Sequence, residues 1–178
     1  MTEHIPYSHK ELIELFSDCI TKRRFIDKTV NGIKINTWGG VNNEEGFNLY
    51  NFYRPRNFFT EPAKCMERPD IILFYQSGIS AIVEVKISRN DFLADFKKKH
   101  RKNNNGMGDY KYLLCSKNID IKELPDSWGI LRIDDIGKHK PYLQMERMAH
   151  KTNKNSYEEI ELLSKLLRYG QKELEPVK

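Results

Sequence analysis

The chain reads as an α/β protein in which a mixed central β-sheet is flanked by helices, and three observations predict it. Apolar runs at 71–75 and 79–83 lie on either side of a Gln76-Ser77-Gly78 turn signal, the pattern of a β-hairpin. Two further β-rich segments follow at 110–115 and 128–133. Capping-box starts at Ser8 and Ser88 open segments whose apolar residues recur with helical spacing. At 178 residues the chain suits a single domain spanning 1–178, with a substantial core between sheet and helices.

Taken in order, Ser8-His9-Lys10-Glu11 opens an amphipathic helix through about Arg23, with Leu12, Ile13, Phe16, Cys19 and Ile20 on one face. Residues 32–65 form an insertion rich in Gly, Asn and aromatics, where Trp38-Gly39-Gly40 and Gly46 suggest turns. Its Phe47, Tyr50, Phe52, Tyr53, Phe58 and Phe59 are interleaved with Arg54 and Arg56. Such a mixture can stack bases and bind phosphates, or bury a loop against a sheet.

The hairpin follows, from Arg68-Pro69-Asp70 to Glu84-Val85-Lys86. Side chains alternate along a strand, so Glu84 and Lys86 share one face while Val83 and Val85 take the other. A three-residue loop with Gly78 in the left-handed conformation pairs Tyr75 with Ile79 and sets Asp70 opposite Glu84. A two-residue turn would set Asp70 opposite Val85 and send its carboxylate to the wrong face. The spacing therefore predicts an odd loop or a bulge.

Ser88 and Asp91 start a helix over 89–102, with Phe92 and Phe96 on its apolar face and the block Lys97-Lys98-Lys99-His100-Arg101-Lys102 at its end. It is expected on the sheet face opposite the N-terminal helix. A polar, flexible stretch, Asn103 to Gly108, leads to a strand at Tyr110–Cys115. Residues 119–124 read as a short helix or turn, Pro125-Asp126-Ser127 as a turn, and Trp128–Ile133 as a strand. After a polar stretch ending near Asn155, a Ser156-Tyr157-Glu158-Glu159 capping box opens a helix over about 156–170. It presents Ile160, Leu163, Leu166 and Leu167 to the sheet or to a homodimer interface, and stops at Gly170.

Asp70, Glu84 and Lys86 carry the chemistry. Two carboxylates at one site repel unless a cation lies between them, and hard oxygen donors select Mg²⁺ or Mn²⁺. Such an ion activates water and polarises a phosphoryl oxygen, while a nearby amine offsets charge in the transition state. The residue types suit phosphodiester hydrolysis. The same residues also admit a plainer reading, with Asp70 capping a strand end and Glu84 paired with Lys86 at an exposed edge.

Pro69-Asp70 followed by Glu84-x-Lys86 resembles the PD-(D/E)xK nuclease superfamily. The continuation from Glu84 to Lys97 is similar to the E-x-K-x-S-x-x-D-F-x-x-D-x-K run of the MmcB-like DNA-repair branch. The likeness spans about residues 68–135, including Ser127-Trp128-Gly129-Ile130-Leu131. It implies a restriction-endonuclease-like core, with Asp70 and Glu84 as metal ligands, the Val85 carbonyl as a third, and Lys86 as the catalytic amine. Members often add a glutamate from the first helix, for which Glu11 and Glu14 are both available.

The implied partner is DNA. Ser88, Arg89, Lys97, Lys98, Lys99, Arg101 and Lys102 form the expected nucleic-acid-binding set, and a net charge of +5 is compatible with it. Cations at a helix C-terminus also complement its dipole, so the block alone admits a solvated face. A non-catalytic nucleic-acid-binding protein or a mobile-element interaction protein would share these features. Three scattered cysteines, Cys19, Cys65 and Cys115, indicate core thiols rather than a disulfide framework or zinc site. No long apolar run, signal-peptide core, phosphate loop or nucleophile elbow is present, so a cytoplasmic protein is expected, with no membrane partner.

Overall fold

The computed structural model describes residues 7–22, 25–26, 55–60, 62, 68–75, 78–96, 106–116, 119–134 and 141–173. Among them are three helices, α1 (His9–Lys22), α2 (Arg89–Phe96) and α3 (Ser156–Glu173). Seven strands accompany them: β1 (Phe25–Ile26), β2 (Asn57–Thr60), β3 (Ile71–Phe74), β4 (Ser80–Lys86), β5 (Tyr110–Cys115), β6 (Gly129–Asp134) and β7 (Tyr142–Arg147). They form one mixed sheet in the order β1-β7-β6-β5-β4-β3-β2. The protein is thus α/β, with helices on both sheet faces.

β2, β3 and β4 make an antiparallel meander, and α2 then carries the chain across to β5. β4, β5 and β6 run parallel, β7 returns antiparallel to β6, and β1 lies parallel to β7. The carboxyl ends of three neighbouring parallel strands therefore share one end of the sheet, where open α/β sheets place their ligands. The β3–β4 register pairs Ile71 with Val83 and Phe74 with Ser80. Tyr75 N–H donates to the Ile79 carbonyl at 2.9 Å, and Gly78 adopts φ 76°. The odd loop expected from the sequence is present, and the register carried one residue further sets Asp70 opposite Glu84.

Alternation divides the core by face. Leu12, Ile13, Phe16, Cys19 and Ile20 of α1 pack on Val83, Val85, Tyr112, Leu114 and Leu131. Full burial of a side chain such as Phe16 contributes about 1.5–3 kcal/mol. On the other face, Phe92 of α2 meets Leu113, Trp128 and Ile130, and Leu162 of α3 meets Ile72, Ile82 and Met107. Helices α1 and α2 flank the sheet on opposite sides, as the sequence predicts.

Some elements differ from expectation. The aromatic stretch ends in a strand rather than a loop: Phe58 and Phe59 in β2 pack on opposite sheet faces, Phe59 edge-on to Phe74. The expected polar stretch before Asn155 contains β7, because Leu143 and Met145 alternate into the core while Glu146 is exposed. The described end of the supposed flexible insertion is packed, with Met107 buried and Gly108 at φ 86°.

In α3 the cap is Asn155 rather than Ser156, since Asn155 Oδ1 accepts from Glu158 N–H and its amide donates back to Glu158. The helix runs through Gly170 to Glu173, and its buried face holds Glu159 and Leu162 while Ile160 is 62% exposed. Among the described residues no helix is long and apolar enough to cross a membrane. Most of the 32–65 stretch, Cys65, Arg54 and the block from Lys97 to Lys102 lie outside the described residues.

Candidate functional site

β4 is buried along its whole length, so Glu84 and Lys86 enter the protein interior by strand alternation alone. A buried charge is costly unless paired. Here Lys86 Nζ lies 3.7 Å from Glu84 Oε2 and 3.8 Å from Asp95 Oδ1, with all three side chains less than a tenth exposed. These separations exceed a hydrogen bond, and the contacts are electrostatic. An ammonium suspended between two carboxylates results.

Asp95 comes from α2, whose start is fixed locally. Asp91 N–H donates to Ser88 Oγ at 3.1 Å, Phe92 N–H to the Ser88 carbonyl at 3.0 Å, and Ile87 N–H to Asp91 Oδ2 at 3.4 Å. Phe92, anchored in the core, sets the helix rotation. Asp95, nearly one turn later, then faces Lys86.

Asp70 immediately precedes β3, and its carboxylate is held from both sides. Oδ2 accepts from Val85 N–H at 2.7 Å, and Oδ1 lies 3.2 Å from His9 Nε2. The aspartate, a fifth exposed, is the most accessible of these acids. At the start of α1, Glu11 is engaged in the cap: its Oε2 accepts from Ser8 N–H and Oγ at 2.7 Å each, which holds the carboxyl below its ordinary range. Glu14 pairs with Lys10 in solvent. The α1 side chain brought to Asp70 is therefore His9, a residue with no sequence signal beyond its place in the helix's first turn.

The structure thus gathers Asp70, Glu84, Val85 and Lys86 at one end of the sheet, and adds His9 and Asp95. Among the described residues no three His, Cys, Asp or Glu side chains form a metal-binding group. Of the expected nucleic-acid contacts, Ser88 is the α2 cap, and Arg89 is bidentate to Glu123 at 2.6 and 2.9 Å with a further bond to the Asp120 carbonyl. That pairing keeps the exposed Glu123 carboxyl below its usual range.

Two strands along the sheet, on the same face, Arg132 is buried. Its Nε donates to Glu146 at 2.8 Å, and Nη1 donates to the Ser116 carbonyl at 2.5 Å and to Cys115 Sγ at 2.9 Å. Burial pushes the Cys115 thiol up to about 11, although Arg132 opposes the shift.

The opposite end of β4 carries a second buried polar group that no motif announces. Asp109 Oδ2 accepts from Ser80 N–H at 2.9 Å and from Lys154 Nζ at 2.7 Å, while Glu159 accepts from Gly108 N–H at 2.8 Å and from Ser80 Oγ. Lys154 also lies 3.1 Å from Glu159. Burial alone would lower the Lys154 pKa, but its two carboxylate partners outweigh this and raise it. These groups are mutually satisfied, and they fasten α3 to the sheet.

No family model matches the chain, and no curated protein matches it. Among solved structures it is similar to the SPO1766 protein of unknown function from Silicibacter pomeroyi, at 21% identity. The match covers 66% of this chain and 75% of that one, with a TM-score of 0.49.

Proposed function

We propose that this protein is a divalent-metal-dependent nuclease that hydrolyses DNA phosphodiester bonds, a cytoplasmic enzyme of repair, recombination or mobile-element processing with a PD-(D/E)xK centre. The observation that carries the reading is the register that sets Asp70 opposite Glu84 while Lys86 lies between two buried carboxylates. Lysine and acidic side chains are seldom fully buried unless paired, and a cluster of them in one place is a candidate functional site.

Carboxylate and carbonyl oxygens are the donor type that suits Mg²⁺ or Mn²⁺. Glu84 and Asp95 place two buried carboxylates beside one lysine, an excess of negative charge that a hard cation would relieve. An ionised carboxylate offers about four acceptor positions, so the two contacts at Asp70 leave capacity for a metal. Asp70, Glu84 and the Val85 carbonyl would hold the ion. When bound, it supplies Lewis-acid polarisation of the phosphoryl group and a more acidic water.

The chain's own residues divide the remaining work. Lys86 offsets charge that develops on the phosphate oxygens, and Glu84 with Asp95 fixes its ammonium in place. His9 and Val85 N–H hold Asp70 in one orientation. The low exposure of Glu84 and Lys86 favours one second reading, a nucleic-acid-binding protein that keeps this centre without turnover.

Incubation of labelled DNA with Mg²⁺ or Mn²⁺ tests the choice. Cleavage by the intact protein, abolished by Asp70→Ala and by Glu84→Ala, is the expected result. Salt-sensitive binding without cleavage would select the second reading, and the absence of both metal uptake and DNA binding by folded protein would overturn both.

A further inference from the structure

We infer that Arg132 is a substrate-binding residue of this site, its Nη2 amino group taking a phosphate oxygen of the nucleic-acid backbone next to the scissile one. The inference rests on the nuclease reading above. It starts from sheet geometry. β4, β5 and β6 are consecutive parallel strands, with Glu84 paired to Leu113 and Leu113 to Ile130. Alternation then puts Glu84, Lys86, Cys115 and Arg132 on one face, and Lys86 pairs directly with Cys115, the residue that Arg132 touches. Two strand spacings separate the Lys86 and Arg132 backbones, roughly 10 Å. A nucleic-acid strand lying across the carboxyl ends of these strands would meet both.

The guanidinium is only partly used by the protein. Nε and Nη1 are committed to Glu146, Cys115 and Ser116, which locks the plane of the fork. Nη2 makes no hydrogen bond among the described residues, yet it is not among the sealed, unsatisfied polar atoms, so it keeps contact with solvent. An arginine whose side chain is 6% exposed would ordinarily bury all its donors against protein acceptors. Its carboxylate partner among the described residues, Glu146, is 47% exposed and therefore screened by water. The arrangement leaves a fixed cation with the two N–H donors of Nη2 open, and a planar guanidinium is well suited to a phosphate oxygen. Arg89, the cation the motif suggests instead, is already occupied by Glu123.

The test uses the full chain and a fluorescein-labelled DNA oligonucleotide, with binding measured by anisotropy in EDTA across a series of NaCl concentrations. Arg132→Gln is expected to weaken binding about tenfold or more and to reduce the slope of log K against log salt by about 0.9. Arg132→Lys, which keeps the charge but not the fork, is expected to keep the slope and lose part of the affinity. In Mg²⁺, KM for DNA should rise in both variants by a larger factor than kcat falls. A residue that merely ties β5 to β7 would alter the melting temperature of the variants but not the salt slope. If Arg132→Gln does not fold, Arg132→Lys carries the test, and wild-type affinity in it overturns the inference. Wild-type protein that cleaves DNA while both variants bind with unchanged slope and affinity refutes the role of Arg132 alone. Wild-type protein that neither binds nor cleaves DNA refutes the nuclease reading on which it rests.

Discussion

Replacing Gly129 with alanine tests how closely β5 and β6 approach beside the site. Gly129 opens β6 opposite Tyr112, and a Cβ built there would meet Tyr112 Cε1 at 2.2 Å, Cδ1 at 2.3 Å and the Ala149 backbone nitrogen at 2.9 Å. Carbon atoms pack comfortably at about 3.5–4.0 Å, so the overlap is more than 1 Å against a ring that is fully buried. Overpacking of this kind typically costs about 1–3 kcal/mol, and more where backbone blocks the retreat. The unfolded state returns about 0.4–1 kcal/mol, because alanine has fewer conformations to lose than glycine. A net loss of about 2 kcal/mol follows, or roughly 4–8 °C in Tm for a chain of this size. Urea unfolding followed by far-UV circular dichroism, with an unchanged slope, measures it. In a Tyr112→Ala background the same change should cost at least about 1 kcal/mol less, since the ring is gone. A Gly129→Ala protein within about 0.5 kcal/mol of wild type would show that the strands are not in this contact.

At Gly78, φ 76° with open space around the Cβ position predicts a loss of about 1 kcal/mol for alanine and less for asparagine, read by the same unfolding assay. Leu162→Ala, which empties a fully buried position between α3 and the sheet, should cost about 2–5 kcal/mol; a loss under 1 kcal/mol would mean that α3 does not dock there. Burial raises the Cys19 and Cys115 thiols to about 11 from 9.0. A folded-state pKa above the unfolded value means stability that is complete below pH 9 and drains away as the unfolded chain ionises between pH 9 and 11. By pH 10.5 the loss should reach roughly 2 kcal/mol per thiol. The Cys19→Ala/Cys115→Ala protein should lose less between pH 8 and 10.5 than wild type, and an equal loss would clear the thiols of responsibility. Within the nuclease reading, Asp95→Asn removes one of the two carboxylates that flank Lys86 and should lower kcat about tenfold or more with little change in DNA affinity. Unaltered kcat would detach Asp95 from the site.

The β3–β4 register is legible in the sequence because the signals that set it are local: Gly78 takes the left-handed position, and alternation carries parity from Tyr75 to Asp70 and from Ile79 to Glu84. The buried face of α1 follows from its periodicity for the same reason. What escapes local reading depends on contacts between distant residues. The rotation of α3 is set by Glu159, whose bonds to Ser80 and Gly108 turn Leu162 inward and leave Ile160 in water. A helical wheel that treats every acid as outward-facing centres the inward face nearer Ile160, although Leu166, which it also turns inward, does pack against the core. In β7 only Leu143 and Met145 mark the inward face among polar neighbours, and β1 is two residues that make sense only beside β7. His9 and Asp95 join the site through single side-chain contacts, to Asp70 from the first turn of α1 and to Lys86 from α2, which no spacing within the sequence marks.

The polar group that joins Ser80 to Glu159 spans 79 positions of chain. A polypeptide leaving the ribosome at about 5–20 residues per second exposes β4 several seconds before the acid that completes its surroundings. Until then Ser80 and Asp109 face the sheet without the counter-groups that offset their desolvation. Assembly of the central strand is thereby tied to translation of α3, and a nascent chain has no reason to hold a finished centre before that helix emerges.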